Sequence, residues 1–320
     1  INREFLNYLA GRNLVLAGDA PALIADIGCG PCDTLVKYLT GVRFAPGFIV
    51  RATDYIGRYA DGERGEAMRT LAAAQASGII RLTEFSARAG DAFGNGLPDL
   101  LAGPGGAPVR LAFRVVYASH VLYHADGPAA MRRLIANVAD YLLAANGICI
   151  LFHIANTPGS FQEFRARFGS QAGGASASDT GAVSIDDPPD QIETACAAIG
   201  LPLRQIEFEA KLRFGPLQDE EWRAFKDPRT YDAIAETNSA AYEDLKRLYF
   251  VVQRSPEEFA GDKSATGLDA FIDEIRPVIE LNRGVLPLAE RMQIFTRADS
   301  AAPIETMAAA LAAANSNREY

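Results

Sequence analysis

Basic charge, cysteine and histidine are all scarce in this chain, and each scarcity excludes something. Lys and Arg number 31 against 40 Asp and Glu, for a net charge of −9 and a sequence pI of about 5.0. An acidic surface repels phosphate backbones, and no run of Lys and Arg forms a groove-tracking stripe, so nucleic acid is not an expected partner. Four cysteines are too few for a disulfide scaffold in 320 residues. Cys29 and Cys32 form a C-x-x-C, but a second pair at zinc spacing is lacking and Cys149 and Cys196 stand alone. No metal site is therefore expected, and reduced cysteines in a cytoplasmic protein are the simpler reading. No apolar run reaches the ~20 residues of a membrane span, and the most apolar stretch, Gly147 to Ala155, reads as one buried strand. No signal peptide is read, although a start at Ile1 rather than Met leaves N-terminal targeting open. No repeat of solenoid period occurs.

What is present is ordinary globular composition, 49% hydrophobic and 22% charged, in a chain long enough for one large core plus a smaller cap. Residues 1–20 read as helical. Strands are expected at Ala22–Ile27, Phe48–Thr53, Ile79–Phe85, Leu111–Ala118 and Ile148–His153, alternating with helices after Pro31, at Gly62–Ser77 and at Pro128–Ala144. Such alternation argues for a Rossmann-like, doubly wound α/β sheet of about seven strands. A short helix at Phe161–Phe168, a mobile Gly/Ala/Ser segment at 169–181, a helix at Pro189–Ile199 and a strand at Leu203–Leu212 follow. Residues 215–282 are helical, aromatic and acidic, and precede a last strand at Leu288–Thr296. An insertion of about 70 residues is too long for a hairpin loop, so a helical cap inserted before the last strand is expected. The domain reading is a core at 1–214, a helical cap or substrate lid at 215–285, the returning core strand at 286–298 and a tail at 299–320.

The string with most chemical content is Ala25-Asp26-Ile27-Gly28-Cys29-Gly30-Pro31-Cys32-Asp33, a D-x-G-x-G pattern where a strand becomes a helix. Gly28 and Gly30 allow a sharp turn and close approach of a ligand to the backbone. A dinucleotide fingerprint needs a third glycine at position 33, and Asp33 stands there, badly placed for pyrophosphate and acceptable beside a sulfonium. Asp54, at the end of the second strand, is placed to take both hydroxyls of a ribose, although a helix N-cap explains it too. Asp91, after the third strand in the loop with Ala92 and Phe93, can accept from an adenine amino group or be an ordinary turn residue. Phe93 can pack on that ring or belong to the core. The string from Tyr117 to His124, which includes Ser119, His120 and Tyr123, closes the fourth strand at the edge where open sheets bind ligands. His120, His124 and His153 are all the histidines of the chain, and all fall on one rim.

Together the acid–glycine loop, the later acid and the fourth-strand string resemble class I methyltransferases that use S-adenosylmethionine (SAM). The run ASHVLYHADGP, the helix MRRLIANVADYLL, the strand GICILFHIA and the segment SFQEFRARFGS look like the histamine N-methyltransferase-like branch, as does Arg3-Glu4-Phe5. The likeness spans about 3–212 and returns at 284–298. It implies a SAM site of Asp26, Gly28, Gly30, Asp54, Asp91, Ala92, Phe93 and Ser119, with S-adenosylhomocysteine as product. The glutamine that contacts substrate in that branch falls on His120, and its amide near the last strand falls at Leu288 or Ala289, with Glu290 nearby. The methyl-donor site thus reads as retained and the acceptor pocket as rebuilt.

Methyl transfer from a sulfonium is an in-line displacement, so the protein aligns the reactants and excludes water. His120 or His124 is the candidate general base and Tyr123 the candidate orienter of the acceptor. His120, His153, Trp222 and Glu290 are the candidate substrate contacts, although most cap aromatics are expected to be plain core. The reading is N-methylation of an amine or nitrogen heterocycle, with small-molecule substrates, no membrane partner, and a monomer or homodimer. An O-methyltransferase of secondary metabolism fits the same residues, and the acceptor atom (N, O or C) stays open. A SAM-retaining enzyme of another reaction, such as a cyclisation, a non-catalytic SAM-binding regulator and an NAD dehydrogenase are the rival classes.

Overall fold

The computed structural model describes residues 2–103, 106–107, 109–119, 121–122, 125–154, 164, 167–168, 188–215, 217, 219–225, 240–241, 244, 248, 267–297, 305–306 and 309. Seven strands form one sheet in the order β3-β2-β1-β4-β5-β7-β6. They are β1 Ala22–Ile27, β2 Phe48–Asp54, β3 Leu82–Ala89, β4 Phe113–Ser119, β5 Leu143–Ile154, β6 Leu203–Arg213 and β7 Val285–Thr296. Neighbours from β3 through β5 are parallel. The fully buried pattern of β1, β2 and β4 is what a parallel sheet covered on both faces requires. The order reverses beside β1, where the chain returns from β3 to lay down β4, and the carboxyl ends of β1 and β4 flank that switch point.

Helices intervene at α1 Asn2–Gly11, α2 Asp33–Leu39, α3 Gly57–Ala60, α4 Glu66–Ala76, α5 Leu97–Leu100, α6 Gly127–Asn137, α7 Pro188–Ala198, α8 Asp219–Phe225 and α9 Leu268–Leu281 among the described residues. The apolar stripe of α6 (Met131, Leu134, Ile135), carried on by the π-helical turn Val138–Leu142, packs into the core formed by Val116, Ala118, Cys149 and Leu151. Each such side chain contributes about 1.5–3 kcal/mol on burial.

Several expected bounds shift, for physical reasons. The helix of residues 1–20 stops at Gly11, and 12–20 is turn and bend. The third strand starts at Leu82, not Ile79, because Gly78 ends α4 in a left-handed turn and leaves Ile79 exposed. It also runs on to Ala89, which pairs with Asp54. The fourth and fifth strands are bounded by Phe113 and Leu143 rather than Leu111 and Ile148. Their register jumps between the Phe113–Leu143 and Val115–Ile148 pairs, and this irregularity accommodates Ala144–Gly147. A β-carbon at Gly147 would lie 2.5 Å from the Phe113 carbonyl, so the bulge needs glycine there. The last strand begins at Val285, three residues early, with Pro287 tolerated near its start.

The chain divides into two compact units. One comprises Ile1–His153, Gly181–Ile206 and Arg291–Tyr320; the other comprises Ile154–Thr180 and Glu207–Glu290. The second unit has its own core, in which Phe168, Trp222, Leu248, Phe271, Ile275 and Leu286 are buried together. Phe168 and Phe271 meet edge-on at 5.4 Å. Arg276 crosses the outside of that core, ion-paired with Asp219 and Glu280 and lying over the Trp222 ring. The expected segment 169–181, most of the expected helix 161–168, most of 226–266 and nearly all of the tail 303–320 lie outside the described residues.

Candidate functional site

The glycine turn after β1 is fastened to the end of β2. Gly28 N–H and Cys29 N–H both donate to the Thr53 carbonyl, at 2.8 and 3.0 Å. Gly30 N–H donates to Asp54 Oδ2 at 2.8 Å, and Ile56 N–H donates to Asp54 Oδ1 at 2.8 Å. Asp54 therefore ties two loops together with one carboxylate, using one acceptor direction on each oxygen. A carboxylate has about four such directions, so two remain for a ligand. The N-cap reading of Asp54 is replaced by this bridging role, since Ile56 is the residue that precedes α3.

Both glycines are required by geometry. Gly28 has φ +69° and Gly30 φ +50°, conformations that side chains rarely adopt. A β-carbon on Gly28 would overlap the Val121 side chain, whereas one on Gly30 would meet nothing within 4 Å. Gly28 is thus needed for packing and Gly30 for the turn, which leaves open space above Gly30. Cys32 shares the left-handed backbone, at φ 63°, immediately before α2.

Asp26 lies under this turn, only 5% exposed. Burial first, and the nearby Asp54 carboxylate second, push its carboxyl up to about 8. At neutral pH it is largely the protonated acid, and a cation arriving beside it would draw it towards the carboxylate. Asp91 caps its own loop, its Oδ1 accepting from Phe93 N–H at 2.8 Å. Arg133 Nε donates to the Phe93 carbonyl at 2.7 Å and Asn137 Nδ2 to the Gly94 carbonyl at 3.2 Å, so helix α6 holds the loop. Ala92 is buried and Phe93 packs against the core, while Asp91 is exposed. At the end of β4, the Ser119 hydroxyl lies 3.5 Å from the Tyr38 hydroxyl. The Tyr38 ring sits 5.5 Å from Tyr117 and 5.3 Å from Phe152.

The structure thus gathers Asp26, Gly28, Gly30 and Asp54 into one bonded cluster, with Ser119 at the carboxyl end of adjoining β4 and the 91–93 loop following β3. His153 is buried near the end of β5. Trp222 is buried in the core of the second unit, and Glu290 is a half-buried residue of that unit whose carboxyl is raised by burial. His120, Tyr123 and His124 lie outside the described residues.

Sequence reasoning missed four contributors. Tyr55 is 72% exposed and Ile56 46% exposed, directly after Asp54. Two large apolar residues following a strand-terminal acid, where polar turn residues are usual, were the available signal. Val121, whose side chain fixes Gly28, and Tyr38, which reaches Ser119, carried none, because both look like ordinary core positions.

No family model matches the chain, and no curated protein matches it. Among solved structures it is similar to one described as the conversion of a disulfide bond into a thioacetal group during echinomycin biosynthesis, at 12% identity and TM-score 0.43, covering 96% of this chain and 87% of that one. It is also similar to a geranyl diphosphate methyltransferase in complex with SAM, at 14% identity and TM-score 0.40, covering 91% and 83%. A phosphoethanolamine N-methyltransferase 2 of Haemonchus contortus matches at 12% identity and TM-score 0.39, covering 92% of this chain and 52% of that one, so this chain spans about half its length. At these values the likenesses carry no conclusion about chemistry.

Proposed function

We propose that the chain is a SAM-dependent methyltransferase that acts on a small molecule. The observation that carries this reading is the Gly30–Asp54 hydrogen bond at the switch point of the sheet. It sets a glycine turn, open above Gly30, beside a carboxylate with acceptor capacity to spare, which suits a ribose diol. The surrounding charge suits the rest of the same ligand. Exposed Asp33 after the turn disfavours a pyrophosphate, and the buried Asp26 acid can ionise in response to a cationic group. Tyr55 and Ile56 offer apolar surface beside Asp54 for a flat base.

Bound SAM would supply an activated methyl group on a sulfonium. Gly28 and Gly30 would let it approach the backbone, Asp54 would accept from the ribose, and the 91–93 loop would border the adenine. Ser119, positioned by Tyr38, would border the donor at the end of β4. His120 or His124 would take a proton from the acceptor and Tyr123 would orient it. His153, Trp222 and Glu290 are assigned to the substrate side, and 215–285 to a lid, on sequence grounds. N-methylation of an amine or nitrogen heterocycle is favoured by the histamine N-methyltransferase-like strings in the sequence, with O-methylation as the second reading.

Titration calorimetry with SAM, S-adenosylhomocysteine and NAD tests the ligand. Binding of the first two, lost in Asp54→Ala and absent for NAD, is the expected result, and binding of NAD alone would overturn the reading. Labelled SAM offered with amine, phenol and carboxylate acceptors then separates N- from O-transfer. A His120→Ala variant should lose turnover far more than SAM affinity.

A further inference from the structure

The C-x-x-C read in the sequence as two idle reduced thiols occupies the same turn as the proposed ligand site. Cys32 N–H donates to the Cys29 carbonyl at 2.8 Å, closing a β-turn through Gly30 and Pro31. Such a turn holds its end Cα atoms within about 7 Å, the span that disulfides bridge. The Cys29 thiol donates to the Gly30 carbonyl at 3.3 Å within this turn, and the two sulfurs are near enough for charge on Cys29 to raise Cys32. Both thiols are free. A C-x-x-C at the junction of a parallel strand and a helix is also the setting of dithiol redox motifs.

We propose that Cys29 and Cys32 are a dithiol–disulfide pair that exchanges with small-molecule disulfides and, when closed, weakens the glycine turn's hold on its ligand. Accessibility orders the chemistry, since Cys29 is 7% exposed and Cys32 0%. Cys29 gives up its proton and attacks one sulfur of the oxidant, for example oxidised glutathione, breaking the oxidant's S–S bond and releasing one glutathione thiolate. Cys32 then loses its proton and attacks the Cys29 sulfur, which forms the internal disulfide and expels the second thiolate. Two electrons pass from the cysteines to the oxidant, and the two protons end on the two glutathione thiols.

The surroundings hold the pair reduced at rest. For Cys29 the neighbouring Cys32 thiol pulls the pKa down, but burial and the Asp26 and Asp54 carboxyls outweigh it and leave it raised. The neighbouring Cys29, burial and Asp26 raise Cys32. Both are therefore held as thiols in the resting turn. Closure must bring the sulfurs to about 2.05 Å and removes the Cys29 proton that bonds the Gly30 carbonyl. Cys32 is anchored, its carbonyl accepting from Val36 N–H at 2.9 Å in the first turn of α2, and Gly28 is held by its N–H donating to the Thr53 carbonyl at 2.8 Å. The movement falls on Gly30 and Pro31, and Gly30 carries the hydrogen bond to Asp54.

The effect on the ligand rests on the SAM reading; the disulfide does not. The test equilibrates the full chain with glutathione buffers of graded oxidised-to-reduced ratio, quenches with acid, and alkylates the denatured protein for peptide mass mapping. Cys29 and Cys32 should lose alkylation together, with a 2 Da mass loss and no retained glutathione. Independent alkylation of the two, a stable adduct on Cys29, or pairing of Cys149 with Cys196 instead would overturn the pair. Cys29→Ser and Cys32→Ala variants should each abolish the mass loss, and Cys196→Ala should keep it. S-adenosylhomocysteine should bind the disulfide form at least about 10-fold more weakly than the dithiol, about 1.4 kcal/mol. Equal affinities would overturn the control of the ligand. Failure of both forms to bind would overturn the SAM reading and the control with it, while the mass result would stand.

Discussion

The glycine turn of the first compact unit and the core of the second place their aromatic and charged residues differently. In the first, acids gather at the glycine turn, with Asp26 buried beneath it, while Tyr55 stays exposed beside Asp54. In the second, Phe168, Trp222 and Phe271 are buried, the buried Asp244 accepts from Gly215 N–H at 2.6 Å, and Arg276 pairs with Asp219 and Glu280 on the outside. The second arrangement is what folding requires of any small core. The first runs against it, since a buried acid and an exposed aromatic both cost stability, and such departures concentrate where ligands bind.

Single substitutions at five positions sharpen that contrast. Phe271→Ala should cost the most stability, about 3–5 kcal/mol by chemical denaturation, from loss of burial and the cavity left behind. If it also abolished binding of S-adenosylhomocysteine by the folded protein, the separation of roles would fail. Gly28→Ala should cost about 2–3 kcal/mol, because it combines a left-handed backbone with overlap on Val121. Val121→Ala in the same chain should recover part of that loss, and no recovery would mean that backbone strain alone is responsible. Asp54→Ala should weaken SAM about 100-fold, with Asp54→Asn intermediate, because two backbone N–H donors and the ribose lose a charged acceptor.

Asp26→Asn reports on pH. The folded carboxyl is raised to about 8 from 3.8, so between those values the unfolded chain releases a proton that the folded chain keeps. Wild-type stability should therefore fall as pH rises through that window and level off above about 8. The asparagine variant should show a flatter profile in urea midpoints measured from pH 5 to 9. An unchanged slope would remove Asp26 as its source. Arg276→Ala is expected to have the smallest effect, at the edge of detection in thermal melts, because its ion pairs are exposed and screened.

The sheet was legible in the sequence because buried parallel strands appear as short apolar runs between turn residues, as β1, β2, β4 and β5 do, while β6 shows the polar–apolar alternation of a half-exposed strand. Strand ends were less legible. Ile79 looks like a strand residue and is an exposed turn residue, while Ala144–Gly147 looks like a loop and is a bulge inside β5. At the site, Gly28, Gly30, Asp54 and Asp91 were readable from type and spacing. Tyr38 and Val121 were not, since each meets its partner only across the sheet.

By itself, then, the sequence determined the alternation of strands and helices, the glycine turn after β1 and the acid at the end of β2. These are local properties, set by hydrophobic period and by the backbone freedom of glycine. Only the tertiary structure decided that Asp54 would bridge two loops, that Val121 would make Gly28 obligatory, that Asp26 would be buried as an acid, and that Cys29 would face Cys32 across a closed turn. Each of those depends on which side chains the order β3-β2-β1-β4-β5-β7-β6 and its connecting turns bring into contact, and burial and charge act between neighbours in space rather than along the chain.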